Sequence, residues 1–146
     1  MTAPQSPAEP HIQVALTWLA WAEGDLVTAK HNLLDPDIPP RQAAQHAEQA
    51  AEKAVKAGLV LRQIDFGKQH DVEMLAGWLG WRLGTSAGQL ERLSAYNTEA
   101  RYPDSGGDAP NDAEAKAAVA IAERVVSAVR ARFNALGVTT DQVKPA

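Results

Sequence analysis

The stretch EQAAEKAVKAGLV, from Glu48 to Val60, decides the fold, because its small residues recur at the spacing of a helix. At about 100° per residue, the helix that contains it carries these small residues in one narrow stripe. The stripe consists of Ala43, Ala47, Ala50, Ala54, Ala57, Gly58 and Leu61. Side chains this small let a neighbouring helix approach to the lower limit of about 8 Å between helix axes. The sequence therefore predicts a central helix that other helices approach closely.

Blocks with the same periodicity flank this stretch and are separated by Pro and Gly, whereas the alternation typical of strands is hard to find. The blocks predict helices over about 11–34, 39–63, 71–83, 89–101 and 112–136. They indicate an all-α protein, an up-and-down bundle of four to five helices in a single domain over 11–137. We expect residues 1–10 to form a disordered leader and residues 138–146 to form a disordered tail.

Local signals place the ends of these helices. Asn111 is a suitable N-cap for the last helix, and Glu114 completes a capping box with it. Gly137 is suited to end that helix as a C′ residue. In the third helix we expect the inward residues to be Val72, Leu75, Trp78 and Leu79.

Composition excludes several classes of protein. The chain has 146 residues, a formal net charge of -4 and no cysteine, so disulfides, iron–sulfur ligation and thiol nucleophiles are excluded. No apolar run approaches the roughly 20 residues of a membrane span, and the first ten residues lack the features of a signal peptide. We therefore expect a cytoplasmic protein that does not enter a membrane.

Asp25 is predicted at the edge of the apolar face of the first helix, where an unpaired carboxylate is unfavourable. Its candidate partners are Lys53, Arg62 and Arg101. Lys53 and Lys56 are predicted on the polar side of the central helix, with Glu52 and Lys56 as a solvated i, i+4 pair. The Asp25 pair is either structural or part of a ligand pocket.

Spacing excludes three familiar chemistries. None of the four histidines has a glutamate three residues before it, so the di-metal site of helical bundles is absent. The stretch DSGGD lacks the Lys and Ser/Thr of a phosphate-binding loop, and no nucleophile elbow supports a serine triad. We expect no metal and no cofactor. What remains is a cluster suited to an anionic ligand: Lys53, Lys56, His70, Asp71, Tyr96, Arg101 and Tyr102.

Four segments in a fixed order carry a family resemblance. They are GDLVTAK (24–30), QAAEKAVKAGL (49–59), KQHDVEMLAGWL (68–79) and LERLSAYNTEARYPD (90–104), followed by an Ala-rich closing helix. In this order and spacing they resemble the HEPN domain family (higher eukaryotes and prokaryotes nucleotide-binding), over about 14–136.

The resemblance implies a helical bundle that forms a homodimer and binds a nucleotide or RNA. Many members form a toxin–antitoxin pair with a small nucleotidyltransferase, the HEPN protein being a metal-independent ribonuclease. The motif of those ribonucleases is an Arg followed, after four to six residues, by a His that serves as acid or base. Arg101 matches the Arg, but the positions for the His hold Gly106, Gly107 and Asp108. The motif RQAAQH, ending in His46, meets the spacing but opens the second helix.

Three functions follow as alternatives. The first is a non-catalytic module that binds a nucleotide or RNA, or that partners a nucleotidyltransferase. The second is a metal-independent endoribonuclease with His70 and Arg101 as its catalytic residues. The third is a dimerisation or assembly module without a small ligand, in which Trp78 or Trp81 lies in the contact rather than the core.

Overall fold

The computed structural model describes residues 9–97 and 109–146. In these two ranges the chain is all-α, with five helices and no strand. The helices are α1 (Pro10–Leu34), α2 (Pro40–Leu61), α3 (Val72–Leu79), α4 (Ala87–Ser94) and α5 (Asp112–Ala135). No helix within these ranges is long and apolar enough to cross a bilayer. The predicted fold class is confirmed, and the predicted leader lies almost wholly outside the described residues.

The helix α2 is the centre of the bundle. It packs against α1, α3, α4 and α5, most extensively against α1 and then α5. All seven stripe residues except Leu61 are buried, and Ala44 and Ala51 beside the stripe are fully buried as well. A Cβ on Gly58 would lie 2.9 Å from Leu79 Cδ2 and 3.0 Å from Trp81 Cζ3. The alanines and the glycine therefore admit neighbours on more than one side, as the sequence predicted.

The two ends of α5 follow the predicted local signals. The Asn111 side chain accepts a hydrogen bond from Glu114 N, and the Glu114 side chain accepts one from Asn111 N. Gly137 has φ 85°, the left-handed conformation that glycine adopts without strain, and its N–H donates to Asn134 O. The helix ends at Ala135, one residue before the predicted end, and Leu136 is 52% exposed.

The helices α3 and α4 are shorter than predicted. Gly80 adopts φ 71° and ends α3 four residues before the expected end at Leu83. Ser86 caps α4 through a capping box with Gln89, and α4 ends at Ser94. The helix was predicted to continue to Arg101, but residues 95–97 are not helical. The rest of the predicted extension lies outside the described residues.

The two tryptophans of this region have different environments. Trp78 was expected to point inward, but it is 44% exposed, because the buried stripe of α3 consists of Val72, Leu75, Ala76 and Leu79. Trp81 packs on the core and makes an edge-to-face contact with Phe133 at 6.2 Å between ring centroids. Trp81 is thus a core residue and Trp78 a surface residue.

The residues after Gly137 pack against the bundle instead of fraying. Thr140 and Val143 are buried, and the side chain of Arg130 donates to the carbonyl oxygens of both. The N–H of Ala146 donates to Ala20 O on α1 at 3.0 Å. The expectation of a disordered tail differs from the structure because Arg130 satisfies the backbone of this segment, a contact that sequence periodicity does not reveal.

Candidate functional site

The polar residues of α2 meet α1 and the segment before α3 on one side of the bundle. Two groups of charges form there, one around Asp25 of α1 and one around His70, which precedes α3. We call their side of the molecule the α2 polar face, defined by Asp25, Glu48, Glu52, Lys53, Lys56 and His70. Four of these residues lie on α2, which packs against the other four helices.

In the first group, Asp25 is paired with Lys53, one of its predicted partners. Lys53 Nζ donates to Asp25 Oδ2 at 2.5 Å, and His46 Nδ1 lies 3.4 Å from Asp25 Oδ1. Burial alone would raise the pKa of Asp25, but the hydrogen bonds and charges of His46 and Lys53 outweigh it and hold that pKa below its ordinary value. Arg62, another candidate partner, donates instead to Leu79 O.

The second group joins Glu52, Lys56 and His70. The Oε1 atom of Glu52 lies 2.9 Å from His70 Nδ1 and 3.7 Å from Lys56 Nζ. Lys56 Nζ also lies 4.9 Å from the ring centroid of Phe66 and 5.6 Å from that of Trp18, both within cation–π range. The ammonium of Lys56 is therefore compensated by a carboxylate and two aromatic rings.

The predicted solvated side of α2 is wrong for this second group. Lys56 is only 4% exposed and Glu52 only 9% exposed, because the segment that carries Phe66 and His70 folds over them. Glu48, one turn before Glu52, is buried as well, and no hydrogen-bond partner of its Oε1 atom is found among the described residues. Burial and the nearby charge of Glu52 raise the pKa of Glu48 to about 8, so it is mostly protonated at neutral pH.

The contact of Glu52 with His70 orients the imidazole ring. Glu52 Oε1 and Lys56 Nζ both approach Nδ1, at 2.9 Å and 3.4 Å, so Nδ1 donates to Glu52 in one tautomer and accepts from Lys56 in the other. In the neutral tautomer whose Nδ1 donates to Glu52, Nε2 is the acceptor nitrogen, on a side chain that is 47% exposed. A histidine oriented by a carboxylate in this way can take a proton from a bound molecule.

The remaining predicted site residues are divided between this face and other parts of the chain. Asp71 caps α3 by accepting from Met74 N, and it also accepts from Ser94 Oγ, so its carboxylate has structural partners. Tyr96 lines a cleft between α4 and α5. Arg101 and Tyr102 lie outside the described residues.

Sequence reasoning missed Glu48, a member of this face, and Phe66, whose ring lies against Lys56. The signal for the carboxylate was present, since Glu48, Glu52 and Lys56 recur at i, i+4 and i+8 and so share one side of the helix. The signal for Phe66 was absent, because a residue in an irregular segment has no period to read. No group of three potential metal ligands occurs among the described residues.

Comparison with known proteins supports the fold over most of the chain. The family model of the HEPN domain matches residues 15–132. The crystal structure of an archaeal HEPN homologue is similar with a TM-score of 0.62 and 24% sequence identity, over 82% of this chain and 97% of that chain. At this identity the structural likeness is evidence of a shared fold alone. A search of curated proteins gives no significant match.

Proposed function

This chain belongs to the HEPN domain family, and on that premise we propose that it is a non-catalytic module that binds a nucleotide or RNA. A partner nucleotidyltransferase in a toxin–antitoxin-like pair is part of the same proposal. The observation that carries the non-catalytic reading is the sequence after Arg101, where Gly106, Gly107 and Asp108 occupy the positions of the ribonuclease histidine.

The α2 polar face supports the binding part of the proposal. His70 is about half exposed, and the side chain of Lys53 is 26% exposed, so both side chains are accessible to a ligand. Trp21 is 47% exposed and stands edge-to-face against Trp18 at 5.9 Å between ring centroids. An accessible ammonium and imidazole, together with an exposed indole that contacts Trp18 beside Lys56, suit a ligand that combines phosphate with a base.

The first test is a thermal shift assay with ATP, AMP, GTP and a short single-stranded RNA. A ligand that binds only the folded state raises the melting temperature by mass action, so at least one of these should raise that of the wild type. We expect Arg101→Ala to abolish the rise. Arg41→Ala, which removes the same charge from an exposed position at the start of α2, should keep it. An unchanged melting temperature with all four ligands would refute nucleotide or RNA binding. Binding of a protein partner would then be the function to test.

A second candidate function, metal-independent RNA cleavage, is favoured by one observation. The contact between Glu52 and His70 orients an imidazole whose Nε2 can act as a base in the tautomer that donates from Nδ1.

The non-catalytic proposal predicts that RNA incubated with the protein in EDTA stays intact. Cleavage by the wild type that is lost in both Arg101→Ala and His70→Ala would establish the ribonuclease instead. Cleavage that persists in both variants would indicate a contaminating nuclease.

Homodimerisation, which the family resemblance implies, is the third element of the proposal. Met74 and Trp78 are both exposed and lie one turn apart on α3, which supports a contact there. Light scattering of the full chain at micromolar concentration separates dimer from monomer, and a monomer would remove the assembly alternative.

A further inference from the structure

The helices α4 and α5 line a cleft of about 380 Å³ that shares no residue with the α2 polar face. Arg92 of α4 and Tyr96, two residues after the end of α4, line one wall, and Arg124 of α5 lines the other. The floor consists of Leu93, Ala118 and Ile121, all of which are buried. The volume falls in the range of small-molecule sites.

Two features make this cleft electropositive. Neither Arg92 nor Arg124 has a carboxylate within ion-pair distance among the described residues. The carboxylate that lines the cleft in the described part of the chain belongs to Glu114, which is engaged in the capping box at the start of α5. The lining therefore holds two guanidinium groups against one carboxylate that already has a partner.

Other arginines of the bundle have structural roles, because their guanidinium groups contact protein groups. Arg62 donates to Leu79 O, and Arg130 donates to Glu23 and to two backbone carbonyls. Arg132 lies over the ring of Trp81 at 5.7 Å. Arg92 and Arg124 stand at a cleft without such a contact among the described residues, so their donors remain available to a molecule in it.

The shape of the cleft has a cause in the sequence of α5. Ala117 and Ala120 line it with Ala118, so the wall between Glu114 and Arg124 carries little side-chain volume. Tyr96 lines the same cleft as Arg92 and Arg124, so an aromatic side chain is part of the lining. Guanidinium groups bind phosphate through paired hydrogen bonds, and an aromatic ring stacks on a planar base.

We infer that the cleft between α4 and α5 binds a phosphorylated nucleoside, with Arg92 and Arg124 on the phosphate and Tyr96 against the base. This inference rests on the proposed function, names the chemical class of its ligand, and assigns that ligand to this cleft instead of the α2 polar face. Two sources supply that chemistry, a free mononucleotide and the 5′-phosphorylated end of an RNA.

Isothermal titration calorimetry of the full chain tests the assignment with four probes. They are AMP, adenosine, a 5′-phosphorylated tetraribonucleotide and the same oligonucleotide without the phosphate. We expect AMP to bind the wild type and adenosine to bind at least about tenfold more weakly, because it lacks the phosphate. A tetraribonucleotide that binds as tightly as AMP only when phosphorylated identifies an RNA end as the source, and weaker binding of both oligonucleotides identifies a free nucleotide.

Variants locate the site. The double variant Arg92→Gln, Arg124→Gln should lose at least about tenfold in AMP affinity, whereas Arg41→Gln, which lies outside this cleft, should bind as the wild type does. Should the double variant fail to fold, the side-chain Nε–Hε NMR signals of the wild type give the same information. Those of Arg92 and Arg124 should then shift with AMP, and that of Arg41 should not.

The outcomes separate this inference from the proposed function. AMP or RNA binding that survives the double variant and is lost in Arg101→Ala overturns the cleft assignment and leaves the proposed function intact. No binding of any probe to the wild type overturns both. Arginine signals at 92 and 124 that stay unchanged while AMP binds also place the ligand elsewhere.

Discussion

Glu48→Gln should stabilise the protein strongly at alkaline pH and hardly at all at acid pH. Glu48 is 2% exposed, and the part of the chain that the structure describes offers its Oε1 atom no hydrogen-bond partner. Burial is the largest cause of its raised pKa of about 8, followed by the charge of Glu52. Asp25 and Asp71 act in the same direction, and Lys56 opposes them. At neutral pH, Glu48 therefore keeps a proton in the folded protein that it has released in the unfolded chain.

The sign of the pH dependence follows from that proton. The pKa of Glu48 rises from 4.5 to about 8 on folding, so between these values the folded state binds more protons than the unfolded state. Stability consequently falls as the pH rises through this window and levels off above it. The difference amounts to about 5 kcal/mol above pH 8, from roughly 1.4 kcal/mol for each pH unit. The glutamine side chain does not titrate, so the variant removes this part of the pH dependence of stability.

Urea unfolding of wild type and variant at pH 4, 6, 8 and 9 measures the effect. The gain of the variant in free energy of unfolding should grow across the series, most steeply between pH 6 and pH 8. Glu91→Gln is the matched control, because Glu91 is exposed on α4 and its substitution should leave the difference independent of pH. A gain for Glu48→Gln that does not change with pH would show that Glu48 is ionised in the folded protein.

The second large effect is expected for Ala54→Leu. Ala54 is fully buried on the α2 stripe, and α2 packs against the four other helices. Overpacked side chains in a core cost about 1–3 kcal/mol, and more where the backbone cannot withdraw. Since α2 is held from several sides, moving away from one neighbour pushes it towards another. We therefore expect a loss of at least about 3 kcal/mol in the free energy of unfolding.

Thermal and urea unfolding at pH 7 report this loss. Ala131→Leu provides the control, because it makes the same change at an exposed position of α5 and should stay within about 0.5 kcal/mol of the wild type. Equal stabilities for the two variants would mean that the alanine stripe is loosely packed and that α2 is not the closely approached centre of the bundle.

Local signals predicted the parts of the fold that depend on one segment at a time. The capping box of Asn111 and Glu114 and the end at Gly137 were correct, because each depends on hydrogen bonds within a few residues. The end of α3 was missed because Gly80 stands inside an apolar run whose hydrophobic pattern continues past it. Trp78 was placed inward with Leu75 and Leu79, but the buried side of α3 includes Ala76 and leaves Trp78 exposed.

In the candidate site, too, contacts between neighbouring segments were predicted and contacts through irregular or distant segments were not. The partner of Asp25 was among the residues that spacing suggested, because Lys53 and Asp25 lie on adjacent helices of a hairpin with a short loop. The contact between Glu52 and His70 was not foreseen, since it depends on how the irregular segment 62–71 returns across α2. The cleft of Arg92 and Arg124 joins two helices that are distant in sequence, and no motif connects them.

The sequence by itself determined that α2 is the closely packed centre of an all-α bundle, because the period of its alanines is a local property that any neighbour must respect. Only the tertiary structure decided which charged residues are buried. Glu48, Glu52 and Lys56 have the composition of a solvated helix face, and they lose water because the segment with Phe66 and His70 covers them. Burial of a charge depends on what packs over it, and that is a property of the whole chain.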